Sequence, residues 1–84
     1  MHETVTRWSV EIFLSESDGR SHAQARLLTG VQPPLTATGE ATLSPHDLID
    51  VPEIGFELAA ARALRSLADL LLAVGDEDVE AITD

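Results

Sequence analysis

The chain has 84 residues and carries five arginines and no lysine against fifteen carboxylates, a formal charge of −10. Its length suffices for one domain and excludes a second core, while its charge disfavours polyanion binding, which needs several Lys or Arg to neutralise phosphates. Without cysteine it carries neither disulfides nor thiolate metal sites, as suits a reducing cytoplasm.

Arg7, Arg20, Arg26, Arg62 and Arg65 are dispersed along the sequence rather than gathered into a basic patch, so the negative charge reads first as a solubility device. The apolar content is ordinary for a folding chain. The longest apolar run, 70–74, is too short to span a bilayer, and M-H-E-T-V-T-R-W lacks the basic and apolar regions of a signal peptide. We therefore expect a soluble cytoplasmic protein without a membrane partner.

Residues 7–16 alternate. Trp8, Val10, Ile12 and Leu14 point one way, and Arg7, Ser9, Glu11, Phe13 and Ser15 point the other, the pattern of a half-buried strand. Asp18-Gly19 follows, a favoured pair for a two-residue hairpin turn because both positions need positive φ. A second strand, 21–29, sets Ala23, Ala25 and Leu27 against His22, Gln24, Arg26 and Leu28. With Ser17 opposite Arg20, Leu14 meets Ala23, Ile12 meets Ala25 and Val10 meets Leu27 on one face, and Glu11 meets Arg26 as an ion pair on the other. A slip of one residue would destroy this agreement.

T-G-V-Q-P-P at 29–34 is a loop, since consecutive prolines exclude a central strand. A third strand, 35–43, sets Leu35, Ala37, Gly39, Ala41 and Leu43 against Thr36, Thr38, Glu40 and Thr42, and its small side chains leave room for something bulky close above. S-P-H-D at 44–47 has capping-box spacing and predicts a single helical turn. The main helix is predicted over 51–74, with Asp50 and Glu53 as capping box, Pro52 in the first turn and Gly75 at the stop. The acidic tail 76–84 makes a short terminal helix through Val79 and Ile82, or frays. The expected fold is a single α+β domain over 1–84, a three-stranded antiparallel meander packed on one long C-terminal helix, which is the only element able to cover the apolar sheet face.

At about 100° per residue, Arg62, Arg65, Ser66 and Asp69 form a narrow polar stripe on that helix. Most of the remaining circumference is apolar, in two sets: Ile54, Leu58, Ala61, Leu64, Ala68, Leu71, and Phe56, Ala60, Ala63, Leu67, Leu70, Val74. One set suffices for packing on a sheet. The other meets another protein, most simply a second copy, or is covered by the tail or the N-terminal arm. Which set faces the sheet is open at this point. The expected interface is Phe56, Ala60, Ala63 and Leu67, with Phe13 and Leu28 on the outer sheet face and Arg62, Arg65 and Asp69 as polar rim. On that assignment Phe56→Asp weakens assembly without unfolding the chain.

Chemistry-bearing motifs are weak. Asp47, Asp50 and Glu53 suit a hard cation by spacing, but capping and helix-dipole complementation explain them, and no metal site or cofactor is expected. His2, His22 and His46 lack partner carboxylates at a catalytic spacing and read as solvated imidazoles. No nucleophile elbow surrounds any serine, and Gly19, Gly30, Gly39, Gly55 and Gly75 are too far apart for a phosphate loop. Gly55 in the first helical turn reflects either close approach of another backbone or tolerance near a helix end. A single sheet-and-helix pair encloses little volume, which speaks against a ligand pocket unless one forms between subunits.

The segment G-E-A-T-L-S-P-H-D followed by V-P-E-I-G-F-E-L-A-A-A-R-A-L-R-S-L-A, with the earlier W-S-V-E-I-F-L-S-E-S-D-G-R-S-H-A-Q-A-R-L, resembles the small actinobacterial dsRBD-like domain-of-unknown-function family across nearly the whole chain. The resemblance implies a β-β-β-α fold and no activity. Phe56 stands where such proteins usually carry an acidic residue, and Thr42-Leu43-Ser44 replaces a more basic stretch. True dsRBDs grip phosphates with lysines at the start of the C-terminal helix; Asp47, Asp50, Glu53 and Glu57 stand there in this chain. The leading expectation is thus a protein-interaction or self-assembling domain without catalysis, most simply a homodimer. The alternative is a nucleic-acid binder retaining the topology.

Overall fold

The computed structural model describes residues 3–42 and 52–83. Three strands, β1 (Ser9–Ser17), β2 (Arg20–Leu28) and β3 (Leu35–Thr42), form an antiparallel sheet in the order β1-β2-β3, and one helix, α1 (Pro52–Thr83), lies across it. The turn at 44–47, Leu43, the Asp50 cap and His2 lie outside the described residues.

The hairpin follows from its turn. Asp18 at φ 52° and Gly19 at φ 76° both take the left-handed conformation, the mirror-image turn whose twist matches the strands it joins. The Gly19 amide also donates to Glu16 Oε1 at 3.1 Å. Ser17 opposes Arg20, and Leu14, Ile12 and Val10 oppose Ala23, Ala25 and Leu27 as expected. Glu11 and Arg26 are opposite one another, but their exposed side chains do not close into an ion pair. Two long solvated side chains gain little by holding one geometry. In the loop that follows, Thr29 Oγ1 accepts from the Val31 and Gln32 amides at 3.3 and 3.4 Å, and Gly30 turns the chain at φ 82°.

Small residues set how close helix and sheet come. Ala23, Ala25 and Leu27 from β2, Ala41 from β3, and Ala59, Ala63 and Leu67 from α1 are the buried core, with Leu35, Ala37 and Leu71 packed at its margin. On α1 this is a ridge at every fourth position, beginning at Gly55. Gly39 lies directly beneath it: a Cβ there would run into Ala63 N and Ala59 O and lie 2.8 Å from Arg62 C. The bulky object for which β3 leaves room is the helix backbone itself. Gly55 has the same origin, since a Cβ would collide with the Ser21 hydroxyl; the close neighbour is a side chain rather than another backbone.

Two expectations are corrected. The helix does not stop at Gly75 but runs without a break for 32 residues to Thr83, taking in the acidic tail. Gly75 keeps a negative φ, and a glycine that only lacks helix propensity costs about 1 kcal/mol, less than is needed to end a long helix. Second, Ala63 and Leu67 face the sheet and are buried, while Phe56 and Ala60 beside them are half-buried. The set taken as outward-facing is therefore the one nearest the sheet, and Ile54, Leu58, Ala61, Leu64 and Ala68 face solvent.

Candidate interaction surface

The helix does not lie centrally on the sheet but over its β2–β3 side. α1 settles over β2 and β3, because β3 offers glycine and alanine where close approach is needed. The Arg62 guanidinium fastens that side, donating from Nη1 to the Glu40 carbonyl of β3 at 2.7 Å.

β1 is only partly covered by the helix, and every residue of it is exposed to some degree. Its inner side chains share the face of Ala23, Ala25 and Leu27 through the strand register, yet Val10, Ile12 and Leu14 remain 44%, 36% and 44% exposed. The helix flank opposite Arg62, about 120–160° around the axis at 100° per residue, carries Phe56, Ala60 and Leu64. β1 is also an edge strand, and over SVEIFLSES it has no proline, no lysine and only two carboxylates to guard that edge.

The remaining expected residues do not assemble. Phe13 stands exposed on the outer sheet face opposite Gln24, whereas Leu28 lies at the far end of β2 opposite Ser9. Four residues of strand, about 13 Å, separate them, so they form no joint patch. Of the polar rim, Arg62 is tied to β3. The sequence reading missed Val10, Ile12 and Leu14 because it assigned the whole sheet face to the helix; the signal was the run of small residues in β2 and β3, which admits the helix closely on that side only.

Groups able to do chemistry are sparse. His22 Nδ1 lies 3.5 Å from Glu40 Oε1 on the open outer face, a carboxylate partner supplied by the neighbouring strand rather than by sequence spacing. Among the described residues no three His, Asp or Glu side chains come together as metal ligands; Asp47, Asp50 and His46 lie outside them. At the end of the sheet Trp8, Leu27, Leu35, Leu71 and Val74 line an open groove of about 550 Å³, with Asp78 as the one charged group among the described residues of its wall. This is more volume than a single layer pair was expected to offer, although it is not enclosed. Among the described residues no helix is long and apolar enough to cross a membrane.

These features define a small α+β domain of three antiparallel strands and one long C-terminal helix, with part of its apolar sheet left open. Residues 6–84 match the model of the Rv2632c-like family, and the chain belongs to that family. It is 43% identical over 76 residues to the uncharacterised protein Mb1767 of Mycobacterium bovis, spanning 90% of this chain and 79% of that one. To the uncharacterised protein Rv2632c of Mycobacterium tuberculosis it is 43% identical over 75 residues, 88% of this chain and 77% of the other. The crystal structure of Rv2632c aligns with a TM-score of 0.88 at 36% identity, over 99% of this chain and 96% of that one. The actinobacterial family of unknown function expected from the sequence is thus the family found.

Proposed function

We propose that the chain acts through protein contact, as an interaction or self-assembling domain without catalysis. The observation that carries this reading is the inner face of β1, where three aliphatic side chains that belong to the sheet's apolar face are only partly covered.

Sedimentation equilibrium over a wide concentration range tests the reading, and a mass rising to a dimer or beyond is the expected result. A single-chain mass throughout, together with an Ile12→Glu variant equal to the parent in solubility and stability, would mean that the face needs no partner. The alternative of nucleic-acid binding has no observation to carry it, the arginines being spread over the N-terminal arm, β2 and the helix.

A further inference from the structure

The free edge of β1 has a defined hydrogen-bonding parity. Strand pairs alternate between hydrogen-bonded and non-hydrogen-bonded, and the pair flanking a two-residue turn, here Ser17 and Arg20, is hydrogen-bonded. Counting back along β1, the odd-numbered residues bond to β2. The amide and carbonyl groups of Val10, Ile12, Leu14 and Glu16 therefore point outward at the edge. These are also the residues whose side chains lie on the inner face.

We propose that the occupant of this surface is a second copy of the chain, joined through β1 by antiparallel, two-fold strand pairing centred on Ile12, so that two sheets become one of six strands. The proposal rests on the self-assembly reading above and specifies its partner and geometry. A strand pairing with its own copy about a two-fold axis must pair residues of equal parity if both inner faces are to lie on the same side. Centring on Ile12 satisfies this and pairs Ile12 with its symmetry mate as a hydrogen-bonded pair. Val10 then opposes Leu14 of the other copy, Glu11 opposes Phe13, and Ser9 opposes Ser15. All six inner aliphatic side chains meet one another, and no carboxylate faces a carboxylate.

The neighbouring registers do worse. Centring on Phe13 sets Val10 against Glu16 on the apolar face, and centring on Glu11 sets two like charges side by side, which is destabilising. With the helices held over β2 and β3, the centred arrangement places the open strips of the two copies together between them. Each chain thereby covers what its own helix does not reach, and the unguarded edge disappears.

The chain has no cysteine, so single cysteines report the register directly. Ser9→Cys and Ser15→Cys lie on the exposed outer face and threaten no core contact. In the proposed dimer residue 9 of one copy is directly opposite residue 15 of the other, within disulfide reach, while like positions are about 20 Å apart. A mixture of the two variants is expected to form interchain disulfides on the order of a hundred-fold faster than either alone, since neighbours in a dimer see millimolar rather than micromolar effective concentration. Cross-linking at equal rates in all three samples, or in none, overturns the geometry. If sedimentation shows assembly while the mixture shows no preference, the strand-pairing proposal fails and the self-assembly reading stands. A single-chain mass at every concentration overturns the second copy as occupant.

Discussion

Replacing Gly39 with alanine would put a methyl group into the backbone of the helix. The added carbon would lie 2.8 Å from Arg62 C and closer still to Ala63 N and Ala59 O, whereas carbon atoms rest at about 3.5–4.0 Å. No side chain can swing aside, so the helix must retreat by roughly 1 Å, a gap that forfeits between a quarter and a half of each contact it opens. Ala23, Ala25, Ala41, Ala59 and Ala63 lose together because they form the same seam. Overpacking of this kind costs about 1–3 kcal/mol, and the lower chain entropy of alanine returns about 0.4–1 kcal/mol. We expect a net loss of about 1.3 kcal/mol, a fall in Tm of roughly 5–10 °C for a domain of this size. Gly75→Ala supplies the control. A Cβ there meets nothing within 4 Å, so the change strengthens a helix end that opens locally and should raise Tm by no more than about 4 °C. Thermal melts followed by far-UV circular dichroism, all at one protein concentration so that association does not enter the comparison, read both signs. A Gly39→Ala variant as stable as the parent would refute the close helix–sheet approach, and a destabilised Gly75→Ala would show that the space above Gly75 is filled.

Three further outcomes are expected. Ile12→Glu should abolish assembly while leaving the single chain folded, because Ile12 lies on the partly covered edge strand and is 36% exposed; sedimentation and circular dichroism on the same sample check both halves, and loss of helix signal would place Ile12 in the core. Since each chain carries −10, self-association should tighten several-fold as salt rises from about 0.05 to 0.5 M and the Debye length falls from about 14 to 4 Å; weakening, read by the same sedimentation series, would mean that ion pairs bridge the copies. Gel-shift titration near physiological salt should show no retention of duplex RNA, and a salt-sensitive shift would restore the nucleic-acid alternative.

The hairpin was legible because its information is local. Asp18-Gly19 fixes the turn, the turn fixes the register, and the alternation of Val10, Ile12 and Leu14 against Ala23, Ala25 and Leu27 agrees with it. The helix was legible in existence but not in extent, because Gly75 is equally compatible with a stop and with a weak link. The face of the helix that meets the sheet was not legible at all. Alanine and leucine occupy most of its circumference, so periodicity cannot separate a buried line from an exposed one; the choice falls to Gly39, whose need for an opposing run of small residues selects Gly55, Ala59 and Ala63. The partly covered strand escaped because what displaces the helix from it is on the other strands: Ala23, Ala25, Gly39 and Ala41 admit the helix closely there, and nothing within β1 announces it.

The reach of α1 beyond its sheet divides a single helix into two thermodynamic regimes. Its 32 residues extend about 48 Å, against about 30 Å for nine-residue strands, and residues 76–83 are exposed on every side. Those last turns hold Asp76, Glu77, Asp78 and Glu80 and no basic residue in the final turn, the wrong sign for the negative end of the helix dipole. Amide hydrogen exchange should therefore fall into a gradient along one continuous rod. Amides near Ala59 and Ala63 would open only with global unfolding, and those past Asp76 by local fraying at almost no free-energy cost. The overhang can then be lengthened, labelled or fused to another domain with little effect on the melting of the sheet, which makes it a natural attachment point for measuring how far apart two copies of the chain are held.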